Sequence, residues 1–131
     1  MGNRILIVDD TETMRMVEQM MLAGEGYEIK TAIDGIDALD KIEQERPDLI
    51  LMDIMMPRMD GIQCCQRIKS SDALKDIKVV MVTTKSEYDR VKEAFAAGCD
   101  DYVTKPIDKA ELIKKIEDLL KFVNLRDLLR T

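Results

Sequence analysis

The chain has 131 residues and a formal net charge of −6, and its 46% hydrophobic and 35% charged residues are typical of one soluble globular domain. No apolar run reaches the roughly 18 residues of a membrane span, and the acidic N-terminus is unlike a signal peptide. Histidine is absent, which excludes Ser-His-Asp triads, histidine acid–base catalysis and histidine metal sites. Three cysteines without metal-like spacing favour a reducing, cytoplasmic location.

Charge is distributed unevenly along the chain. Residues 1–65 hold 14 acidic and 6 basic side chains, whereas residues 66–131 hold 12 and 14. The acidic half argues against direct contact with nucleic-acid phosphates, and the absence of Trp argues against stacking on single strands. The same excess leaves carboxylates available for a cation.

Short apolar runs predict five strands. Ile5–Val8, Leu49–Met52 and Val79–Val82 are continuously apolar, as expected for strands buried on both faces of a parallel sheet. Tyr27–Ala32 is more polar and is predicted at an edge, and Tyr102–Val103 is a minimal fifth strand.

Apolar residues at helical spacing fill the segments between these strands. The predicted inward-facing residues are Met14, Val17 and Met21; Ala38, Leu39 and Ile42; Ile62, Cys65 and Ile68; Val91, Ala94 and Phe95; and Leu112, Ile113, Ile116, Leu119, Leu120 and Val123. Methionines predicted to fill the core are Met14, Met20, Met21, Met52 and Met81. At least two of the three cysteines are also expected to be buried.

Start and stop signals support the helices. Asp34 is a predicted N-cap, and Asn124 is a candidate end for the last helix. The pairs with capping-box spacing are Ser86 with Asp89 and Asp108 with Glu111. Five strand–helix pairs with short, right-handed connections predict one α/β domain, with a parallel sheet covered by helices.

Polar side chains follow the buried strands. Asp9 and Asp10 end the first strand, Asp53 the third and Thr83 the fourth, and Lys105 follows the fifth. In an open parallel sheet these positions share the edge outside the carboxyl ends of the strands, which lie about 4.8 Å apart. We therefore expect three carboxylates, a hydroxyl and an ammonium to face one small pocket.

Three clustered carboxylates repel each other unless a cation or protons intervene. Without histidine or soft ligands, the residues favour Mg²⁺, which takes a few carboxylates together with waters and phosphate oxygens. A cation, a lysine and a threonine around one carboxylate describe a site for a phosphoryl group.

The sequence resembles the receiver domains of two-component response regulators, and among them it is similar to the chemotaxis response regulator. The resemblance rests on "ILIVDD", "LILMDIMMPRMDG", "VVMVTT" and "AGCDDYVTKPI" in this order and spacing. It implies a flavodoxin-like (βα)5 fold with strand order 2-1-3-4-5. Residues 1–122 would be the receiver domain, and residues 123–131 a C-terminal helix extension or the start of a linker.

The resemblance also implies roles at the site. Asp53 would be the phosphoacceptor, and Asp9, Asp10 and the backbone carbonyl of Met55 would join it in holding Mg²⁺. Thr83 would be the switch hydroxyl and Lys105 would pair with the phosphate. Further matches are Tyr102, an aromatic that turns inward on activation; a cis bond before Pro106; and the loop residues Pro57 and Gly61.

Implied partners are a sensor histidine kinase or phosphotransfer protein, and a downstream target at the surface of the fourth helix, fifth strand and fifth helix. A phosphorylation-dependent dimer also fits, whereas nucleic acid and membrane are not expected as partners of this domain. The resemblance implies catalysis only of its own phosphorylation and slow dephosphorylation. Thr84 departs from the common small residue and is expected to narrow the path for Tyr102 or a partner.

Other readings remain open from the residues. Each site residue alone is compatible with a solvated turn or strand end, and Tyr102 with a plain edge-strand aromatic. A Mg²⁺-dependent aspartyl-phosphate phosphatase would carry a second Asp at the position of Met55. A nucleotide or flavin binder would need a Gly-rich loop, but Gly24 is the first glycine after the first strand. A receiver-like module that works without phosphorylation is the remaining alternative.

Overall fold

A computed structural model describes residues 2–130, except for the side chains at 122, 126, 127 and 130. Five strands alternate with five helices along the chain, as the apolar runs predict. The strands are β1 Arg4–Val8, β2 Glu28–Ala32, β3 Leu49–Asp53, β4 Lys78–Thr83 and β5 Asp101–Thr104. The helices are α1 Glu12–Leu22, α2 Gly35–Gln44, α3 Gly61–Lys69, α4 Arg90–Ala96 and α5 Lys109–Arg130, with a 3₁₀ turn at Lys85–Glu87 before α4.

The strands form one parallel sheet in the order β2-β1-β3-β4-β5. This order confirms the flavodoxin-like arrangement, with the more polar β2 at an edge. The three apolar strands β1, β3 and β4 occupy the centre of the sheet, where both faces are covered.

Two core layers lie on opposite faces of the sheet. Because side chains alternate along a strand, Leu6 and Val8 face the layer that holds α2, α3 and α4. Ile5 and Ile7 face the second layer, which α1 and α5 cover through residues such as Leu22. In the other strands too, successive side chains point to opposite faces, and this decides on which face the polar residue at each strand end lies.

Capping interactions fix where the helices begin. Asp34 accepts a hydrogen bond from the Asp37 amide at 2.9 Å, as predicted. The Asp108 carboxylate likewise accepts bonds from the first amides of α5. The box before α4 is different from the predicted one: it joins Thr84 to Glu87, because β4 ends at Thr83 and the turn starts immediately after it.

Three expectations about apolar residues and helix length are wrong. Met20 is exposed and Phe95 is half-exposed, so neither fills the core. Asn124 does not end the last helix, since α5 runs on through it. Thr131 lies outside the described residues. All three cysteines are buried, which agrees with the expectation that at least two of them would be. No helix among residues 2–130 is long and apolar enough to cross a membrane.

Candidate functional site

Strand alternation brings three of the predicted site residues, Asp9, Asp53 and Lys105, to the same face of the sheet. Asp9 continues the Ile5–Ile7 side of β1, and its amide still donates to the Ala32 carbonyl at 3.1 Å. Asp53 continues the Leu49–Leu51 side of β3. The Lys105 amide donates to the Thr83 carbonyl at 2.7 Å, which keeps its side chain on the same side as Val103. Each of these polar side chains thus lies on the same side of its strand as the buried apolar residue two positions before it.

The charged groups meet at the carboxyl edge of the sheet. Carboxylate oxygens of Asp9, Asp10 and Asp53 lie within 4.8 Å of one another. The Lys105 ammonium is 3.3 Å from Asp53 Oδ2 and 3.8 Å from Asp9 Oδ2. Asp9 and Asp53 are buried and Asp10 is exposed, so the pocket opens to solvent on the Asp10 side.

Asp9 is held in place by the first turn of α1. Its Oδ1 accepts hydrogen bonds from the Thr11 amide and the Thr11 hydroxyl, both at 2.9 Å. The Arg15 guanidinium donates to the Asp9 backbone carbonyl at 2.8 Å. Oδ2 of the same carboxylate is buried without a hydrogen-bond partner, which leaves it available to a ligand.

Burial and mutual repulsion alter the acidity of the site. Burial, and then the charge of Asp9, raise the pKa of Asp53 to about 6, although Lys105 opposes this. Burial alone would lower the pKa of Lys105, but Asp53 and Asp9 outweigh it, and that pKa is raised. The lysine is therefore firmly cationic beside two carboxylates.

The three carboxylates fit a hard divalent cation. They supply oxygen ligands of the kind that Mg²⁺ prefers, one buried oxygen lacks a partner, and one lysine does not balance three negative charges. The described acidic group is therefore the part of the chain that would hold such an ion.

Thr83 and Tyr102 lie near this edge without bonding to the carboxylates. Thr83 is fully buried, and its hydroxyl donates to the Thr84 carbonyl at 3.1 Å. Tyr102 is half-buried, and its ring makes edge-to-face contacts with Tyr88 and Phe95 at centroid distances of 6.2 and 6.0 Å. The Thr84 hydroxyl is engaged with Glu87 Oε1 at 2.7 Å.

The loop after Asp53 has restricted geometry. Gly61 is required by close packing, because an added Cβ would overlap the carbonyl oxygen of Asp53. The Pro57 carbonyl accepts a bond from the Met59 amide at 2.8 Å, and the turn places Arg58 in the left-handed region at φ 65°. The peptide bond between Lys105 and Pro106 is cis, as the resemblance implies.

Two residues near the site were not foreseen. Glu18 is a buried acid on α1, and burial, followed by repulsion from Asp9, raises its pKa to about 8. The sequence does contain a sign of this burial, because Glu18 lies four residues from both Met14 and Leu22 and so shares their face of α1. Arg90 reaches from α4 to the Met55 sulfur at 3.2 Å and to Asp60 at 3.3 Å, a pairing that no local pattern indicates.

Comparison with known proteins agrees with this geometry. Residues 5–117 match the family model of the response regulator receiver domain. The chain is 41% identical over 117 residues to Protein PilG of Pseudomonas aeruginosa, covering 88% of this chain and 86% of PilG. It is 38% identical over 122 residues to the alkaline phosphatase synthesis transcriptional regulatory protein PhoP of Bacillus subtilis, covering 92% of this chain. The chain spans about half the length of PhoP, at 50%.

Solved structures give the same result. A putative response regulator from Chloroflexus aurantiacus superposes with a TM-score of 0.89 at 30% identity, covering 92% of this chain and 99% of the other. The chemotaxis protein CheY4 of Vibrio cholerae superposes with a TM-score of 0.83 at 29% identity, covering 91% and 99%.

Receiver domains are signalling proteins rather than enzymes for external substrates. They generally bind Mg²⁺ at an acidic pocket and partner with histidine kinases and downstream effectors. The chain belongs to the family of response regulator receiver domains of two-component systems, whose general function is phosphorylation-activated signalling.

Proposed function

We propose that this chain accepts a phosphoryl group on Asp53 from a histidine kinase or phosphotransfer protein, and catalyses that transfer itself. The observation that supports it best is the Lys105 ammonium, 3.3 Å from Asp53 Oδ2 beside a trio of clustered carboxylates. The acceptor oxygen lies next to a fixed positive charge that can stabilise the oxygens of a transferring phosphoryl group.

The residues take separate roles in the transfer. An Asp53 oxygen attacks phosphorus, the bond from phosphorus to the donor nitrogen breaks, and that electron pair leaves with the imidazole. Lys105 neutralises charge on the equatorial oxygens. Asp9, Asp10, Asp53 and the Met55 carbonyl would hold Mg²⁺, which when bound supplies further neutralisation of the phosphoryl charge.

Phosphorylation would alter a second surface through Thr83 and Tyr102. A phosphoryl group adds roughly −1.5 to −2 charge, and the Thr83 hydroxyl would exchange its bond to the Thr84 carbonyl for one to a phosphoryl oxygen. Tyr102 would then turn inward from its contacts with Tyr88 and Phe95. The downstream target, or a second copy in a phosphorylation-dependent dimer, would bind the surface of α4, β5 and α5.

Mass spectrometry with acetyl phosphate and Mg²⁺ tests the acceptor. We expect a labile adduct of one phosphoryl group on the native chain and none on Asp53→Asn. Asp48→Asn, which removes a carboxylate near the start of β3, is the matched control and should label normally.

Three outcomes would contradict the proposal. An adduct of equal yield on Asp53→Asn would place the acceptor elsewhere. No adduct and no Mg²⁺ binding would favour a phosphorylation-independent interaction module. Release of many equivalents of phosphate from a small phosphate ester would indicate an enzyme for external substrates.

A further inference from the structure

One arginine joins α4 to the loop that follows the acceptor strand. Arg90 lies in the first turn of α4, and its guanidinium donates to the Met55 sulfur at 3.2 Å and to Asp60 Oδ2 at 3.3 Å. Met55 and Asp60 lie near the two ends of the β3–α3 loop, residues 54–60. A single side chain of α4 therefore bridges both ends of a loop that belongs to other elements.

The geometry of Arg90 is suited to holding this loop. Glu93, one turn further along α4, accepts from the Arg90 Nε at 3.4 Å, so each of the three guanidinium nitrogens has a partner. The side chains of Arg90 and Asp60 are 31% and 22% exposed, which reduces the screening of their ion pair by water. Because the guanidinium is planar and bonded at all three nitrogens, it has little freedom to turn.

The two ends of the loop are supported unequally. Met55 is 52% exposed, so core packing does not fix its side chain, although it lies two residues after Asp53. Asp60 is anchored, because its Oδ1 caps α3 by accepting a bond from the Gln63 amide at 2.8 Å. Arg90 thus connects the weakly packed start of the loop to its firmly held end.

We propose that Arg90 is a positioning residue that holds the β3–α3 loop in the conformation from which the Met55 backbone carbonyl binds a divalent cation. This inference rests on the proposed function, in which that carbonyl joins the three carboxylates of the site. Mg²⁺ demands near-ideal octahedral geometry at about 2.1 Å, so a ligand on a loosely held loop binds it weakly. Arg90 acts through the loop and makes cation binding depend on the position of α4.

Calorimetric titration of the full chain with Mg²⁺ tests this, because Arg90→Lys separates positioning from charge. This variant keeps the positive charge but cannot bridge two acceptors, and we expect it to weaken Mg²⁺ binding about threefold or more. Asp60→Asn retains Oδ1 as the cap of α3 but removes the carboxylate partner, and in that background Arg90→Lys should have less than half of the effect. Arg67→Lys, the same exchange at an exposed position of α3, is the control and should bind Mg²⁺ like the native chain.

Hydrogen exchange of the cation-free protein measures the loop directly. The amides of Met59 and Gly61 both bond to carbonyls of the loop at 2.8 Å, so they report on its opening. Arg90→Lys should speed their exchange about threefold and leave the Asp48 amide, at the other end of β3, unchanged.

Native Mg²⁺ affinity in Arg90→Lys overturns the inference, and so does an equal loss of affinity in the Asp60→Asn background. Native exchange rates of both loop amides in Arg90→Lys overturn it as well. If the native chain fails to bind Mg²⁺ or to label at Asp53, the proposed function is wrong instead, and the loop amides then still show whether Arg90 holds the loop.

Discussion

At the scale of single residues, the buried carboxyl of Glu18 should make the stability of this domain depend on pH. Burial and the charge of Asp9 raise its pKa from 4.5 to about 8, so the folded state favours the protonated form. An acid of this kind stabilises the fold fully below its ordinary pKa, and that stabilisation is lost as pH rises towards 8. The loss from this group is on the order of 4 kcal/mol.

We therefore predict that the cation-free native chain is less stable at pH 8 than at pH 5. Glu18→Gln should remove most of the difference, although Asp53, whose pKa is also raised, contributes in the same direction. Urea unfolding at both pH values, in the presence of a chelator, measures the effect. Equal pH dependence of the native chain and Glu18→Gln would contradict the assignment, and Glu25→Gln is the control.

Prediction from sequence works at this scale where residues follow the strands. Asp9, Asp53 and Lys105 could be placed together because each follows a predicted strand, and parallel strands end at one edge of the sheet. Glu18 could not be assigned in the same way. A carboxyl in an apolar stripe is compatible with several rotations of α1, and only the packed structure decides that it is buried.

At the scale of elements, the packing of the start of α3 against the end of β3 requires a glycine at position 61. The requirement is for space and not for an unusual backbone conformation. We predict that Gly61→Ala destabilises the fold by about 2 kcal/mol or more, because the new methyl group overlaps the Asp53 carbonyl. Phosphorylation at Asp53 should also slow, since the overlap displaces the end of β3.

Gly24 provides a matched comparison. It has φ 84° with open space around its Cβ position, so Gly24→Ala should cost about 1 kcal/mol through backbone strain alone. The rate at which Asp53 is phosphorylated in Gly24→Ala should equal that of the native chain. Chemical denaturation and timed mass spectrometry measure both variants, and an equal loss of stability in the two would contradict the packing argument.

Local patterns predict that elements exist better than they predict where elements begin. Thr84 with Glu87 and Ser86 with Asp89 share one spacing, and the end of β4 at Thr83 selects the first pair. Phe95 follows the apolar spacing of α4, yet it is half-exposed beside Tyr102. Periodicity alone cannot distinguish a core-facing stripe from a surface that binds a partner.

At the scale of the whole molecule, cation binding should stabilise the fold. A ligand that binds only the folded state adds about 2.7 kcal/mol when its free concentration is 100 times its dissociation constant. We predict that Mg²⁺ raises the melting temperature of the native chain, with a much smaller rise for Asp10→Asn. Because Asp10 is exposed, this variant should fold normally without the cation.

Calorimetric scans with and without Mg²⁺ measure this effect. Glu12→Gln, an exposed change on the first turn of α1, is the control and should keep most of the cation-dependent rise. A full rise in Asp10→Asn would exclude that carboxylate as a ligand. The cytoplasmic location expected from the cysteine content stays a prediction.

The aromatic contacts of Tyr102 have an experimental consequence. The chain has three tyrosines and no tryptophan, and two of the tyrosines face each other edge-on at 6.2 Å. Two of the three intrinsic tyrosine fluorophores therefore lie on the surface that would rearrange. The native protein carries its own optical reporter, so fluorescence lifetimes could follow activation in real time without any attached dye.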